Sequence, residues 1–233
     1  MKFLSVLFFL IPNTIWSFTL SGPQKGWKTT NLEVNINTTN CPSDILDRLD
    51  QAFKLLNSVP TSSLKLSLGR TSSTTTSTEL MNSAAVDTPV ILCDTQFSTN
   101  LSTPSSPVDA NSVSGVGFAL ARTSQSQNID YGGLILNMQA GATASITQLS
   151  QTQQNIVIAH EIAHMLGLGH SSSESALMYY SVGKKENFSL SKDDWDGLSY
   201  LYPRDELAQT NLAAGCGLVQ NGKSSLPFWP SLL

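Results

Sequence analysis

Residues 160–170 read HEIAHMLGLGH and contain all three histidines of this 233-residue chain. An apolar pattern with helical spacing leads into this stretch, and Gly167 is of a residue type that commonly ends a helix. We therefore expect His160 and His164 one turn apart on the same face of a helix. Because the chain turns at Gly167, His170 would approach the same point from outside the helix. The stretch predicts three imidazoles around a single site.

These residue types at these spacings are suited to a catalytic zinc site. Three neutral imidazoles hold zinc at about 2.0–2.1 Å and leave a fourth position open for water. We predict zinc as the cofactor, one catalytic ion bound by His160, His164 and His170. Glu161 is the predicted catalytic base, which takes a proton from the zinc-bound water that attacks a peptide carbonyl. A structural zinc site is the alternative, but it would need a fourth His or Cys nearby, and the surrounding sequence offers none.

The full pattern HExxHxxGxxH resembles that of the metzincin metallopeptidases, in which a downstream methionine turn underlies the zinc. Its fixed positions make a chance match on the order of one in a million sequences of this composition. Met178 fits the methionine turn, although an isolated Met is more often core filler. Within the metzincins the chain resembles the matrixins, the group that contains the matrix metalloproteinases. Ser171 after the third histidine, residues 190–203 (LSKDDWDGLSYLYP) and residues 18–34 carry this likeness.

The resemblance implies an α+β fold, a zincin-like catalytic domain with a twisted, mostly parallel five-stranded sheet, an active-site helix and a C-terminal helix. The periodicity of apolar residues predicts strands at 32–36, 64–68, 90–93, 116–121 and 134–138, and helices at 42–56, from 152 to Gly167 and at 192–201. Two tracts rich in serine and threonine, residues 70–88 and 95–113, are expected to be surface loops. We expect residues 115–123 to form the strand at the edge of the cleft, which would pair with an extended substrate. An ordinary edge strand is the alternative.

Composition and charge narrow the class of protein. The chain is 40% hydrophobic and 13% charged, which fits a globular extracellular enzyme. Its formal net charge is −4 and it has no cluster of Lys or Arg, so neither nucleic acid nor an anionic membrane is expected as its main partner. We expect a monomer that acts on protein or peptide substrates. The sequence thus predicts a secreted zinc-dependent endopeptidase that hydrolyses peptide bonds of extracellular proteins.

The first 17 residues have the layout of a secretory signal peptide. Lys2 precedes an apolar run over residues 3–11, and Pro12 and Ser17 follow it. The run is too short to span a membrane, and a buried N-terminal helix is the alternative. We expect secretion to the extracellular space or the periplasm. The predicted divisions are a signal peptide at 1–17, a matrixin-like catalytic domain at 18–205 and a short C-terminal tail at 206–233.

Cys41, Cys93 and Cys216 allow three pairings, each with one thiol left over, in an oxidising compartment. We prefer Cys41–Cys93 because both residues fall in regions that we place in the core of the domain. Three free thiols are the alternative. A leftover Cys216 could also block the zinc as a thiolate.

Two absences depart from the matrixin pattern. No room for a propeptide is visible before Trp27, so we expect signal cleavage before Phe18 to yield active enzyme directly. In the family the mature N-terminal ammonium can pair with an aspartate of the final helix, matched here by Asp194. No histidine is left for a second, structural zinc. Asp87 and Asp130 are candidate calcium ligands, but a lone aspartate is usually a turn residue, so calcium is unsupported.

A third departure is Tyr180, which stands two residues after Met178, where matrixins usually have proline. Astacins and serralysins have a tyrosine at that offset, which can approach the zinc and stabilise the transition state. A packing tyrosine is the alternative. One rival interpretation is therefore a metzincin nearer to the astacins or serralysins. A second, from a different class, is a non-catalytic zinc-binding adhesion protein of the same fold. Glu161 argues against the second, because a protein without catalysis would not need it.

Overall fold

The computed structural model describes residues 18–74, 76–82, 87–183 and 185–204. The predicted signal peptide, the tail at 206–233 and Cys216 lie outside the described residues. The elements are β1 (Asn31–Asn37), α1 (Ile45–Asn57), β2 (Lys65–Thr71), α2 (Ser77–Asn82), β3 (Val90–Asp94), α3 (Phe97–Leu101), β4 (Gly115–Leu120), β5 (Tyr131–Asn137), a single 3₁₀ turn (Ile146–Gln148), α4 (Gln151–Met165) and α5 (Lys192–Leu201). None of the helices in the described ranges is both long and apolar enough to cross a membrane.

The five strands form one sheet in the order β2-β1-β3-β5-β4. Four of them run parallel, and β4 alone pairs antiparallel, with β5. Helix α1 provides the crossover that parallel neighbours such as β1 and β2 need. The predicted α+β fold with a mostly parallel five-stranded sheet is confirmed, as is the position of the strand from Gly115 at a free edge.

The central strands β3 and β5 are buried on both faces, which explains their continuous apolar runs. Along β5, Leu134 and Leu136 belong to the main core beside α1 and α4, whereas Ile135 packs on the opposite face. The same alternation along β3 places Ile91 in the main core and Leu92 across the sheet. The sheet therefore separates a large core, which supports α4, from a smaller one covered by α2 and α3.

The prediction of two surface loops was wrong at α2 and α3. These helices lie inside residues 70–88 and 95–113, and each inserts one large apolar side chain, Leu80 and Phe97, into the smaller core. Helices of five or six residues are too short to produce an amphipathic period, so the sequence pattern could not predict them. Their stability comes from packing against β3 and β5.

A disulfide joins Cys41, in the connection between β1 and α1, to Cys93 on β3, with 5.2 Å between the two Cα atoms. This is the pairing that we preferred from the sequence. Cys93 is buried in the main core, so the bond links a surface connection directly to the centre of the sheet. Closing a loop of this length is worth about 2–4 kcal/mol to small domains.

Candidate active site

Helix α4 and the turn after it bring the three histidines together. His160 and His164 are four residues apart on α4, and Gly167, whose φ of +104° is one that side-chain-bearing residues rarely adopt, reverses the chain beyond the helix end. His170 then returns to the same point, with its Nε2 atom 3.2 Å from Nε2 of His164. The ligand atoms of all three lie within 4.8 Å of one another. No other group of three or more His, Cys, Asp or Glu side chains in the described ranges is arranged to hold a metal.

Hydrogen bonds to the backbone orient two of the rings. Nδ1 of His160 lies 2.8 Å from the carbonyl oxygen of Leu177, and Nδ1 of His164 lies 2.7 Å from that of Leu168. A carbonyl oxygen only accepts, so each Nδ1 donates, and each Nε2 keeps its lone pair for a metal. Two nitrogens bound tetrahedrally to one zinc ion would be about 3.3 Å apart. The observed 3.2 Å between His164 and His170 fits that requirement.

The surroundings keep these rings neutral, as metal ligands must be. Burial lowers the pKa of His160 to about 3 and that of His164 to about 4. The backbone hydrogen bonds oppose this effect without overcoming it. Both imidazoles are therefore in the ligating form at neutral pH.

Glu161 points from α4 toward β4, where its Oε2 accepts a hydrogen bond of 2.7 Å from the backbone amide of Gly117. Burial raises the pKa of Glu161 to about 8, and the hydrogen bond from Gly117 partly opposes that shift. The sequence interpretation missed Gly117. The signal that could have revealed it is the Gly-Val-Gly start of β4, because glycine inside a strand often marks a close approach of another backbone.

A turn around Met178 lies beneath the histidines and is tied to the site from both sides. The amide of Ser171 donates to the carbonyl oxygen of Met178 over 2.7 Å, directly after the third histidine. The amides of Leu177 and Met178 donate to the carboxylate of Asp194 over 2.8 and 3.0 Å. Met178 is almost fully buried in the main core. Because Leu177 also holds the ring of His160, Asp194 supports the site through one intermediate residue.

Asp194, which we expected to pair with an N-terminal ammonium, is engaged in the methionine turn and in the cap of α5. Its two oxygens already accept from Leu177, Met178 and both the amide and the hydroxyl of Ser191. The neighbouring Asp193 is also buried, but its Oδ1 has no hydrogen-bond partner among the described residues. The sequence could not separate the two, since only the packing of α5 decides which carboxylate faces the methionine turn.

The three histidines open into a cleft of about 520 Å³. Residues of α4, including Gln153 and Val157, line this cleft together with residues 112–117 and residues 180–183. Nε2 of Gln153 donates to the carbonyl oxygen of Gly183 over 3.3 Å, which connects α4 to the segment 180–183. Of the chain that follows Met178, residues 180–183 are the part that lines the cleft. Gln153 lies seven residues, about 10 Å along the helix axis, from His160.

Tyr180 lies on the surface of this cleft rather than in the core. Its side chain is 67% exposed, and its ring centroid is 4.4 Å from that of Tyr179. A hydrogen bond with Tyr180 raises the pKa of Tyr179 to about 12. The placement removes the alternative of a core packing residue and leaves Tyr180 where a bound substrate would meet it.

The two candidate calcium ligands are engaged in ion pairs. Asp130 pairs with Lys28 and Asp87 with Arg122, at 3.2 and 2.6 Å. Hydrogen bonds, the first from the amide of Arg122, lower the pKa of Asp130 to about 2. Since basic side chains already neutralise both carboxylates, nothing in this region favours a calcium ion.

The sheet is mostly parallel and packs on a helix that carries two histidines, and the third histidine returns to them after a glycine turn. This arrangement defines a metzincin-type catalytic domain. Comparison with known proteins narrows the class further. Residues 97–203 match the family model described as Matrixin. The chain therefore carries a matrixin-like catalytic domain.

Several curated relatives share the region of the site. Metalloendoproteinase 1-MMP of Arabidopsis thaliana is 42% identical over 74 residues, which are 31% of this chain and 20% of that protein. Matrilysin of Homo sapiens is 51% identical over 45 residues, 18% of this chain and 17% of its own length. Neutrophil collagenase of Homo sapiens is 49% identical over 49 residues, which are 20% of this chain and 10% of that protein. The chain thus spans at most a fifth of the length of these relatives.

Proposed function

We propose that this protein is a zinc-dependent endopeptidase. His160, His164 and His170 would hold the ion, and Glu161 would act as the catalytic base. The observation that carries this proposal is the meeting of three ring nitrogens and one carboxylate in the same cleft, beside a free strand edge. A site with three protein ligands and an adjacent carboxylate has the composition of a catalytic rather than a structural zinc site.

The chain's own residues account for the steps of peptide hydrolysis. A bound zinc ion supplies Lewis acidity, which polarises a carbonyl and makes nearby water more acidic. An extended peptide would lie along the free edge of β4, whose backbone groups hold and orient it. Glu161 would take a proton from the attacking water and deliver it to the leaving nitrogen.

The proposed activity makes a direct prediction about metal removal. Treatment with phenanthroline should reduce cleavage of casein to below about one hundredth of the untreated rate, and added zinc should restore it. The non-chelating isomer of phenanthroline is the matched control and should have no effect. Cleavage that persists after the metal is removed would contradict the metal mechanism. A folded, zinc-loaded protein without any activity would favour the non-catalytic adhesion protein.

We also propose that the protein is secreted, acts on extracellular proteins and works as a monomer. The layout of residues 1–17 supports secretion, as does the disulfide between Cys41 and Cys93, because such bonds persist in oxidising compartments. On this proposal the catalytic domain covers residues 18–205 and the tail follows at 206–233.

Cleavage before Phe18 would create an ammonium group beside α5. The ring of Phe18 lies 5.4 Å from that of Tyr200, and Phe18 also packs beside Gly197, one helical turn after the buried Asp193. A positive charge there would satisfy the carboxylate oxygen of Asp193 that has no hydrogen-bond partner in the described region. We therefore assign Asp193, in place of Asp194, as the expected partner of a new N-terminus.

N-terminal sequencing of the secreted protein should begin at Phe18. Adding two residues before Phe18 should lower the midpoint of thermal unfolding by a few degrees, because the ammonium no longer reaches Asp193. The same extension in an Asp193→Asn variant should have no further effect. A mature terminus far from Phe18 would end this proposal.

A further inference from the structure

The free edge of β4 presents backbone groups at every second residue. The carbonyl oxygens of Ser114 and Leu120 accept from β5 and the residue before it, over 3.0 and 2.9 Å. In an antiparallel pair the residues alternate between facing the partner strand and facing away from it. The backbone amides and carbonyls of the even-numbered residues therefore point to β5. Those of Gly115, Gly117 and Ala119 point to the free edge.

The outward amide of Gly117 is already in use. It donates to Oε2 of Glu161 over 2.7 Å, so the carboxylate lies at the sheet edge where the acceptor of an added strand would lie. This is the single outward amide of β4 for which a side-chain acceptor is found within the described ranges. The carboxylate therefore occupies one pairing position of the edge. Gly22 lies against the carbonyl of Ala119 on one side of it, so the position at Gly115 is the one left to a peptide.

The absence of a side chain at Gly117 is what allows this contact. A Cβ atom there would lie 1.9 Å from the backbone oxygen of Glu161, far inside any contact distance. At Gly115 a Cβ would lie 3.1 Å from Cγ of Glu161, which is part of a flexible side chain and can move. Helix α4 and strand β4 thus meet backbone to backbone at Gly117.

We propose that Gly117 is the positioning residue of the catalytic base. Its amide holds one oxygen of Glu161 at the edge of β4 and leaves the other for proton transfer, and its missing Cβ sets the distance between strand and helix. The substrate peptide group that lies opposite Gly117 then cannot pair with the Gly117 amide. This sets the position of the scissile bond along the strand. This inference rests on the proposed endopeptidase function.

The kinetic test compares Gly117→Ala with the control Ser67→Ala, an exposed position on β2 at the opposite edge of the sheet, in the zinc-loaded full chain. Gly117→Ala should lower kcat about 100-fold with KM within about threefold, because the base is displaced while the rest of the edge still binds peptide. Ser67→Ala should stay within about threefold of the wild type in both constants. Equal losses in the two variants, or a normal kcat in Gly117→Ala, would overturn the proposal.

A second measurement does not depend on activity or on the stability of Gly117→Ala. Hydrogen exchange of the Gly117 amide, followed by NMR, should be at least about tenfold faster in Glu161→Ala than in the wild type. Glu161→Gln keeps an acceptor oxygen and should retain most of the protection. An unchanged exchange rate in Glu161→Ala would show that the contact is absent. If the Gly117 amide of the wild type is protected as expected but the protein hydrolyses no peptide, the endopeptidase function would be contradicted, whereas the contact between Gly117 and Glu161 would stand.

Discussion

Replacing Glu161 by glutamine is expected to lower kcat for peptide hydrolysis about 1,000-fold, with little change in KM. The amide has nearly the same shape and can still accept a hydrogen bond from Gly117, but it cannot take a proton from water. The three histidines are untouched, so the variant should bind one zinc ion per chain as the wild type does. The loss would therefore report the chemical step rather than the assembly of the site.

Steady-state kinetics on a peptide substrate, with zinc content measured on the same samples, would check this prediction. Glu33→Gln is the matched control, since Glu33 is exposed on β1, two strands away from β5 and three from the cleft edge, and should leave kcat unchanged. A Glu161→Gln variant with more than about a tenth of the wild-type kcat would remove Glu161 from the role of base. Loss of zinc together with activity would instead indicate that Glu161 supports the metal site.

Asp194→Ala is expected to lower the free energy of unfolding by about 4 kcal/mol. The substitution removes the acceptor of two buried amides, those of Leu177 and Met178, and of the amide and hydroxyl of Ser191. Hydrogen bonds to a charged group contribute about 1.5–3 kcal/mol each, and the orphaned amides add a desolvation cost. Because the Leu177 carbonyl orients His160, zinc affinity should fall as well.

Urea unfolding of the zinc-free and zinc-loaded proteins would measure both effects. Asp196→Ala on the same helix is the control. Asp196 is engaged in an exposed ion pair with Lys192, so its loss should change the unfolding free energy by no more than about 0.5 kcal/mol. A change of similar size in the two variants would show that Asp194 does not organise the methionine turn.

The residues of the candidate site could be named from the sequence because their spacing is local. The separation of His160 and His164 by one helical turn and the bend at Gly167 are properties of the backbone, which neighbouring residues determine. The cap of α5 is equally local, since the hydroxyl of Ser191 accepts from the amide of Asp194 three residues on. The preferred pairing of Cys41 with Cys93 succeeded for a coarser reason, since both were assigned to the same core.

Contacts between distant segments were beyond the sequence. The sequence could not show that Asp194 holds the methionine turn while Asp193 has an oxygen without a hydrogen-bond partner in the described region, because two adjacent carboxylates differ only in what α5 packs against. Gly117 was missed because its importance comes from the approach of β4 to α4, 44 residues along the chain. The short helices α2 and α3 were missed because packing alone stabilises them.

The sequence by itself therefore determined the ligand set, the candidate base, the fold class and the order of most elements. Each of these depends on residue type and on periodicity within a few residues. Only the tertiary structure decided which carboxylate supports the methionine turn, which amide holds Glu161 and where Gln153 contacts the segment 180–183. The physical reason is that a hydrogen bond needs its two partners within about 3 Å, and only the completed fold sets distances between remote segments that finely.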